Sequence, residues 1–126
     1  MKKYSFAVGC VFFILCFSLS CRQFNDNNTS IHVSDSEHYF KMRASFNKHE
    51  TSDVDKYMDI KIGRRSNMSF MHSRIDGKLA LDDHTIFYIK KYPGYLEIKL
   101  DKNENSYDGY HRIKSMCQGI KKVLVK

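Results

Sequence analysis

The sequence predicts an α+β domain in which two helices pack on one face of a four-stranded antiparallel sheet. Three observations support this class. Residues 75–81 and 96–100 alternate between apolar and polar side chains, Pro93-Gly94 separates two apolar runs, and residues 110–124 carry apolar side chains at three- and four-residue spacing. Alternation is typical of half-buried strands, and the wider spacing is typical of an amphipathic helix. The predicted element order is β-α-β-β-β-α.

The four predicted strands occupy residues 38–46, 75–81, 86–89 and 96–100. The last three form a meander, since only short polar connections separate them. Proline at the first and glycine at the second central position of a turn suit type II geometry, which Pro93-Gly94 therefore predicts. Residues 86–89 are apolar at every position, so the side of this strand that faces the core is left open.

The first helix is predicted over residues 52–62. Ser52 and Asp55 approximate a capping box, and Gly63 is a candidate for the residue that closes the helix. The second helix is predicted to start after Asn105 or Ser106, with Asp108 in its first turn. Gly119 costs about 1 kcal/mol relative to alanine inside a helix, so we expect it to mark a close approach to the sheet.

The first 20 residues are predicted to be a secretory signal rather than part of the domain. Lys2 and Lys3 precede an apolar run over residues 6–19, and small residues follow it. A span of the bilayer needs about 20 apolar residues, so this run is short for a transmembrane helix. An uncleaved anchor is the competing interpretation.

The ending Leu19-Ser20-Cys21 resembles the lipobox of bacterial lipoproteins. The resemblance implies that the Cys21 thiol carries fatty acyl chains and that the signal is removed just before it. Ser18 departs from the family pattern, which has Leu, Val or Ile at that position, and ordinary cleavage after Ser20 is the alternative. Because Arg22 is not the aspartate associated with inner-membrane retention, the resemblance favours the outer membrane if the bacterium has two membranes.

Removal of residues 1–20 leaves two of the four cysteines, Cys21 and Cys117. This number is too small for a disulfide framework. With Cys21 acylated, Cys117 is expected to be a buried apolar residue. With Cys21 free, a disulfide between Cys21 and Cys117 is the alternative.

Residues 21–36 are mostly polar and are predicted to form a flexible tether between the lipid and a single domain at residues 37–126. Removal of Lys2 and Lys3 leaves 19 basic and 14 acidic residues, a net charge of +5. This excess favours contact with anionic surfaces without indicating a nucleic-acid partner, and none is expected.

No phosphate-binding, zinc-protease or serine-hydrolase motif is present, and the six histidines show no metal-ligand spacing. Asp82-Asp83-His84 is interpreted as a turn. His111 and Cys117 lie about 600° apart around a helix, so a nucleophile–base pair is not favoured over a core cysteine. We expect no enzyme activity and no cofactor other than the covalent lipid.

The face of the sheet turned away from the helices is the candidate binding surface. It is predicted to combine cations with aromatic rings, which suit a protein interface or an anionic polymer. The alternative is an ordinary solvent-exposed face. The candidate residues are Tyr39, Lys41, Arg43, Lys78, Tyr88, Lys90, Tyr95 and Lys99.

The sequence therefore predicts a lipid-anchored protein of the bacterial cell envelope that binds another macromolecule. The first hypothesis is a protein partner, either in an envelope assembly or as the target of a periplasmic immunity-type inhibitor. The second is a polyanion or glycan bound by the basic, aromatic sheet face. A small hydrolase ranks last for lack of a nucleophile and base.

Overall fold

The computed structural model describes residues 29–125. The predicted signal, Cys21 and the first part of the predicted tether lie outside the described residues. Among those that are described, no helix has the length and apolar character needed to cross a bilayer.

The described chain forms one antiparallel sheet of five strands, with the order β1-β2-β5-β4-β3. The last three strands form the predicted meander, and β2 pairs with β5 to extend it. Gly94 has φ +83°, as the second central residue of a type II turn requires. The strands are β1 Ser30–Asp35, β2 Tyr39–Ser45, β3 Ile75–Ala80, β4 Ile86–Tyr92 and β5 Tyr95–Asp101.

The predicted number of four strands is wrong because Ser30–Asp35, placed in the tether by its polar composition, pairs with β2. Ile31 lies opposite Ala44 and is only 6 % exposed, so a single apolar side chain attaches this strand to the core. Polar residues on both sides of Ile31 and Val33 conceal the alternation in the sequence. The part of the tether that remains a prediction ends before residue 29.

The first helix, α1, spans Thr51–Met58 and continues through a π-helical turn, Asp59–Gly63, into the short helix Arg64–Ser66. It is therefore longer than predicted. Gly63 stays right-handed, and Asn67, with φ +59°, closes the helix instead. The predicted capping box is also absent: α1 has no side-chain cap, and Asp55 is buried.

The second helix, α2, spans Tyr107–Leu124 and agrees closely with the prediction. The Ser106 hydroxyl accepts a hydrogen bond from the Gly109 N–H at 3.0 Å, which satisfies one free donor of the first turn. The apolar stripe faces the sheet through five buried residues. They are Ile113, Met116, Cys117, Ile120 and Leu124.

Both helices cover the same face of the sheet, and their buried side chains join those of the strands in one cluster. Gly119 does mark a close approach, but the neighbour is Tyr57 of α1 rather than the sheet. A Cβ at residue 119 would overlap the Tyr57 hydroxyl. Because Gly119 has no side chain, Tyr57 of α1 can lie directly against α2.

A charged pair lies inside this otherwise apolar layer. Lys91 of β4 is 3 % exposed, and its Nζ lies 3.1 Å from Oδ1 of Asp55. The carboxylate also accepts a hydrogen bond at Oδ2 from the His72 N–H at 3.3 Å. Burial raises the pKa of Asp55, although the neighbouring Lys91 opposes that rise. Lys91 also donates to the carbonyl oxygens of Phe70 and Ser73, and so attaches the loop after α1 to the sheet.

Candidate binding face of the sheet

The face of the sheet opposite the helices, called the open face below, carries all eight predicted site residues. Period-two alternation places them there: in β2, Phe40, Met42 and Ala44 are buried, whereas the residues between them are exposed. Tyr88 belongs to the open face because Phe87 and Ile89 are the buried residues of β4. The structure thus brings the predicted residues together, while their role in binding stays a prediction.

Three lysines and one tyrosine form what we call the central row of the open face. Strand register places Lys41 opposite Lys99, Lys99 opposite Tyr88, and Tyr88 opposite Lys78. Directly opposed like charges destabilise a sheet. In the described part of the chain, Lys41 and Lys99 form no salt bridge. An anion bound above this row would reduce the electrostatic repulsion between Lys41 and Lys99.

A second row beside the first alternates in charge. Arg43 lies opposite Glu97, Glu97 opposite Lys90, and Lys90 opposite Asp76. Opposite charges at paired positions stabilise a sheet by roughly 0.2–1 kcal/mol per pair. This row is therefore balanced within the chain, whereas the opposed pair Lys41 and Lys99 of the central row is not.

The acids of the second row also hold two tyrosine rings in place. The hydroxyl of Tyr88 donates to Asp76 at 2.7 Å, and that of Tyr95 donates to Glu97 at 2.8 Å. The hydrogen bond to Asp76, more than burial, raises the pKa of Tyr88 to about 12. Burial, followed by the hydrogen bond to Glu97, raises the pKa of Tyr95 to about 12. Both tyrosine hydroxyls therefore stay protonated. Because hydrogen bonds already fix the two rings, they lose little conformational freedom when a partner binds.

Two further ring contacts order the open face. Tyr92 stacks on Tyr95 with a centroid separation of 4.9 Å and an interplanar angle of 15°. The ammonium of Lys99 lies 4.9 Å from the centre of the Tyr39 ring, within the range of a cation–π contact. Lys99 is therefore held in position while its charge remains available.

A shallow hollow of about 410 Å³ lies over the end of the central row. Tyr39, Tyr88, Lys78 and Lys99 line it together with acidic side chains. Lys78 reaches one of these acids, Glu104, at 3.5 Å. The hollow thus offers cations and tyrosine rings within an acidic rim.

The acids of the open face are the functional candidates that the sequence prediction left out. They share the outward side of their strands or border the hollow, and they are Asp76, Glu97, Asp101 and Glu104. Alternation had already placed Asp76 and Glu97 on this side. Their negative charge sets them apart from the cations and aromatic rings that define the predicted surface.

The acidic turn, the cysteine and the histidine considered in the sequence analysis do not form a reactive site. Asp82-Asp83-His84 forms a turn in which Asp82 pairs with Arg65 and Asp83 pairs with Arg112. Cys117 is buried, and burial raises its pKa far above the usual range, whereas His111 is exposed. Within residues 29–125, no three metal-ligating side chains are grouped to hold an ion.

Helix α2 carries a second basic patch, Lys114, Lys121 and Lys122, which is partly neutralised. Lys114 donates to Asp35 at 3.0 Å, which leaves Lys121 and Lys122 as its unpaired cations among the described residues.

No family model, curated protein or solved structure matches this chain.

Proposed function

We propose that this chain is a lipid-anchored protein of the bacterial cell envelope whose open face binds a protein partner bearing acidic side chains. Lys41 and Lys99 of the central row carry the proposal. They are opposed across β2 and β5, and neither forms a salt bridge among the described residues, so an acidic group of the partner would stabilise both.

The mixed charge of the open face favours a protein over a uniform polyanion. Asp76, Glu97, Asp101 and Glu104 lie among or beside the cations and would repel an unbroken run of negative charge. A protein can instead present acids to the central row and basic or neutral groups elsewhere. Tyrosines are also enriched at protein interfaces, where their rings supply contact area at low entropic cost.

The anchor is proposed from the lipobox-like Cys21 and the polar residues that follow it. Acylation would hold the domain at a membrane, with the open face available to a neighbouring envelope protein. Within this function, the chain would act as an accessory component of an envelope assembly or as an immunity-type inhibitor.

The alternative is a polyanion or glycan ligand, favoured by one observation: Lys78, Lys99 and Lys41 follow one another along the central row. Cations in a line suit a polymer with regularly spaced negative charges. Protease digestion of the extract would separate a protein ligand from a polyanion or glycan.

The experiment compares the wild-type full chain with two double variants in capture from an envelope extract. Lys41→Glu with Lys99→Glu reverses the charge of the central row. The two new glutamates still oppose each other as like charges, so the internal repulsion persists while the charge offered to a partner changes sign. Lys121→Glu with Lys122→Glu is the matched control, because it makes the same charge change on α2.

We expect the wild type and the α2 variant to retain the same protein, and the central-row variant to lose it. Retention should weaken with rising salt, since ionic contacts are screened. Extract digested with protease should yield no captured ligand. Capture that survives digestion would replace the protein proposal with the polymer alternative, and equal capture by the central-row variant would exclude the open face.

A further inference from the structure

Strand β3 forms one edge of the sheet and is a candidate for pairing with another strand. It pairs only with β4, and within residues 29–125 no backbone hydrogen bond covers its outer side. The donors and acceptors of an edge strand are a template for strand addition unless charge, proline or a bulge prevents it. The side chains of β3 determine which kind of strand can pair with its free edge.

Gly77, near the centre of β3, makes no close contact in the described part of the chain that would require a glycine. A Cβ at this residue would meet no atom within 4 Å, and its φ is not in the left-handed region. Glycine inside a strand weakens it, and often marks a place where another backbone approaches closely. The space over Gly77 is thus open for a neighbour that residues 29–125 do not supply.

The residues around Gly77 complement themselves when the strand is paired with its own copy in antiparallel orientation. With Gly77 opposite Gly77, the register places Asp76 opposite Lys78 of the second copy, and the reverse. Ile75 then lies opposite Leu79 on the other side of the strand. Both charge pairs are favourable, and both apolar side chains are partly buried at the rim of the core.

The other edge strand, β1, lacks this complementarity. Its residues from Ser30 to Ser34 carry no formal charge, so Asp35 has no cation of the same strand to face in a second copy. The edge at β3 is thus the one that has a self-complementary charge pattern.

We propose that two copies of this chain associate through antiparallel pairing of their β3 strands about Gly77. The two five-stranded sheets then form one ten-stranded sheet with a two-fold axis, an isologous interface in which each copy gives the same residues. The two open faces become continuous, so a partner protein with two acidic sites would be bound by both copies at once.

A cysteine at the two-fold axis tests the register. Gly77→Cys fits the monomer, since nothing obstructs a side chain there. In the proposed dimer, the two Cβ atoms lie about 5 Å apart, close to the separation of a disulfide. In Ala80→Cys, the matched control, six residues separate the thiols along the strand, about 20 Å.

Purified full chain in nonionic detergent is oxidised with copper phenanthroline, and dimer is measured by non-reducing electrophoresis. We expect Gly77→Cys to form a covalent dimer, with Ala80→Cys and the parent chain at the same low background. Equal cross-linking of Gly77→Cys and Ala80→Cys would overturn the register about Gly77.

Charge exchange supplies a second measurement that needs no cysteine. Asp76→Lys places one lysine opposite Lys78 of the neighbouring copy in each of the two symmetric pairs, and Lys78→Asp places one aspartate opposite Asp76 in each pair. Each single variant should weaken self-association by about tenfold or more in sedimentation velocity, because both symmetric pairs become repulsive. The double variant restores opposite charges across the interface and should associate more strongly than either single variant, even though the exchange also alters the contacts with Lys90 and Glu104 within each copy. A double variant as weak as either single one, or a monomeric wild type, would overturn the proposal.

Discussion

Gly119 lies in the middle of α2, where the absence of a side chain leaves room for the Tyr57 hydroxyl of α1. An alanine at this position would favour the helix by about 1 kcal/mol in isolation. Here its Cβ would overlap a ring held between two packed helices, so the steric effect decides the sign.

We therefore expect Gly119→Ala to lower the free energy of unfolding by about 1–3 kcal/mol, the usual cost of excess volume in a packed core. Urea denaturation measures this change. Gly77→Ala is the matched control: it adds the same methyl group where no atom lies within 4 Å, and it should not lower stability, because glycine weakens a strand. Equal stability of wild type and Gly119→Ala would show that Tyr57 can move aside at no cost.

The sequence was sufficient to predict that Gly119 marks a close approach, because a glycine inside a strongly patterned helix is costly. It was insufficient to identify the neighbour. Tyr57 reaches α2 from a helix 62 residues earlier in the chain, and no periodicity within either segment specifies their crossing point.

At the scale of secondary-structure elements, Asp35 joins β1 to α2 and to the end of β5. Its carboxylate lies 2.7 Å from Lys102 Nζ and 3.0 Å from Lys114 Nζ, and accepts a hydrogen bond from the Tyr110 hydroxyl. Burial raises the pKa of Asp35, but hydrogen bonds from Lys102, Tyr110 and Lys114 outweigh it and hold the pKa below 3.8.

A lowered pKa means that folding favours the ionised carboxylate. This contribution is fully present above the pKa of the unfolded chain and is lost as the pH falls through the lower pKa of the folded state. We expect Asp35→Asn to cost about 1–2 kcal/mol at pH 7, with a difference from wild type that shrinks below pH 3.8.

Urea unfolding of both chains between pH 7 and pH 2 measures that difference. Glu37→Gln, an exposed acid without a salt bridge among the described residues, is the control and should change stability by less than about 0.5 kcal/mol at pH 7. A cost of Asp35→Asn that stays constant down to pH 2 would contradict the role assigned to its ionised form.

Element boundaries followed from the sequence where a cap and a long apolar stripe coincide, as at Ser106 and α2. They failed where tertiary contacts override local signals. Asp55 resembles a capping residue in sequence, yet Lys91 draws it into the core. Similarly, β1 is held by one buried side chain, Ile31, among polar residues, which is too little apolar pattern to distinguish a strand from a tether.

At the scale of the whole molecule, Cys21 would determine where the domain works. Each buried CH₂ group of an acyl chain contributes about 0.8 kcal/mol to membrane binding, and two or more chains hold a protein stably. We expect the wild-type chain to sediment with membranes without detergent and Cys21→Ala to be released or to accumulate as a slower-migrating precursor. Cys10→Ala, in the predicted signal, should fractionate like the wild type.

Fractionation of cells followed by electrophoresis gives both readouts, position and mobility. A wild-type chain found entirely outside the membrane fraction would exclude the lipid anchor. It would also return the disulfide between Cys21 and Cys117 to consideration, although Cys117 is buried in α2 and would need to become accessible.

The composition of the open face was largely accessible from the sequence, because alternation assigns each strand residue to one side. Its arrangement was not. That Lys41 faces Lys99 while Arg43 faces Glu97 depends on the register between β2 and β5, two strands separated by 49 residues of chain. The strand register, which the sequence pattern does not specify, therefore determines whether the charges in a row balance one another.

The buried pair of Lys91 and Asp55 has a consequence for how the protein avoids misfolding. Residues 86–89 of β4 are apolar on both sides, so a slip by one residue would still present apolar side chains from these four positions to the core. If the slip put Tyr92 in the place of Lys91, Asp55 would stay buried without its cation, at a cost of about 3–5 kcal/mol. The opposite slip would put Lys90 in that place, so the buried pair discriminates against one of the two slips.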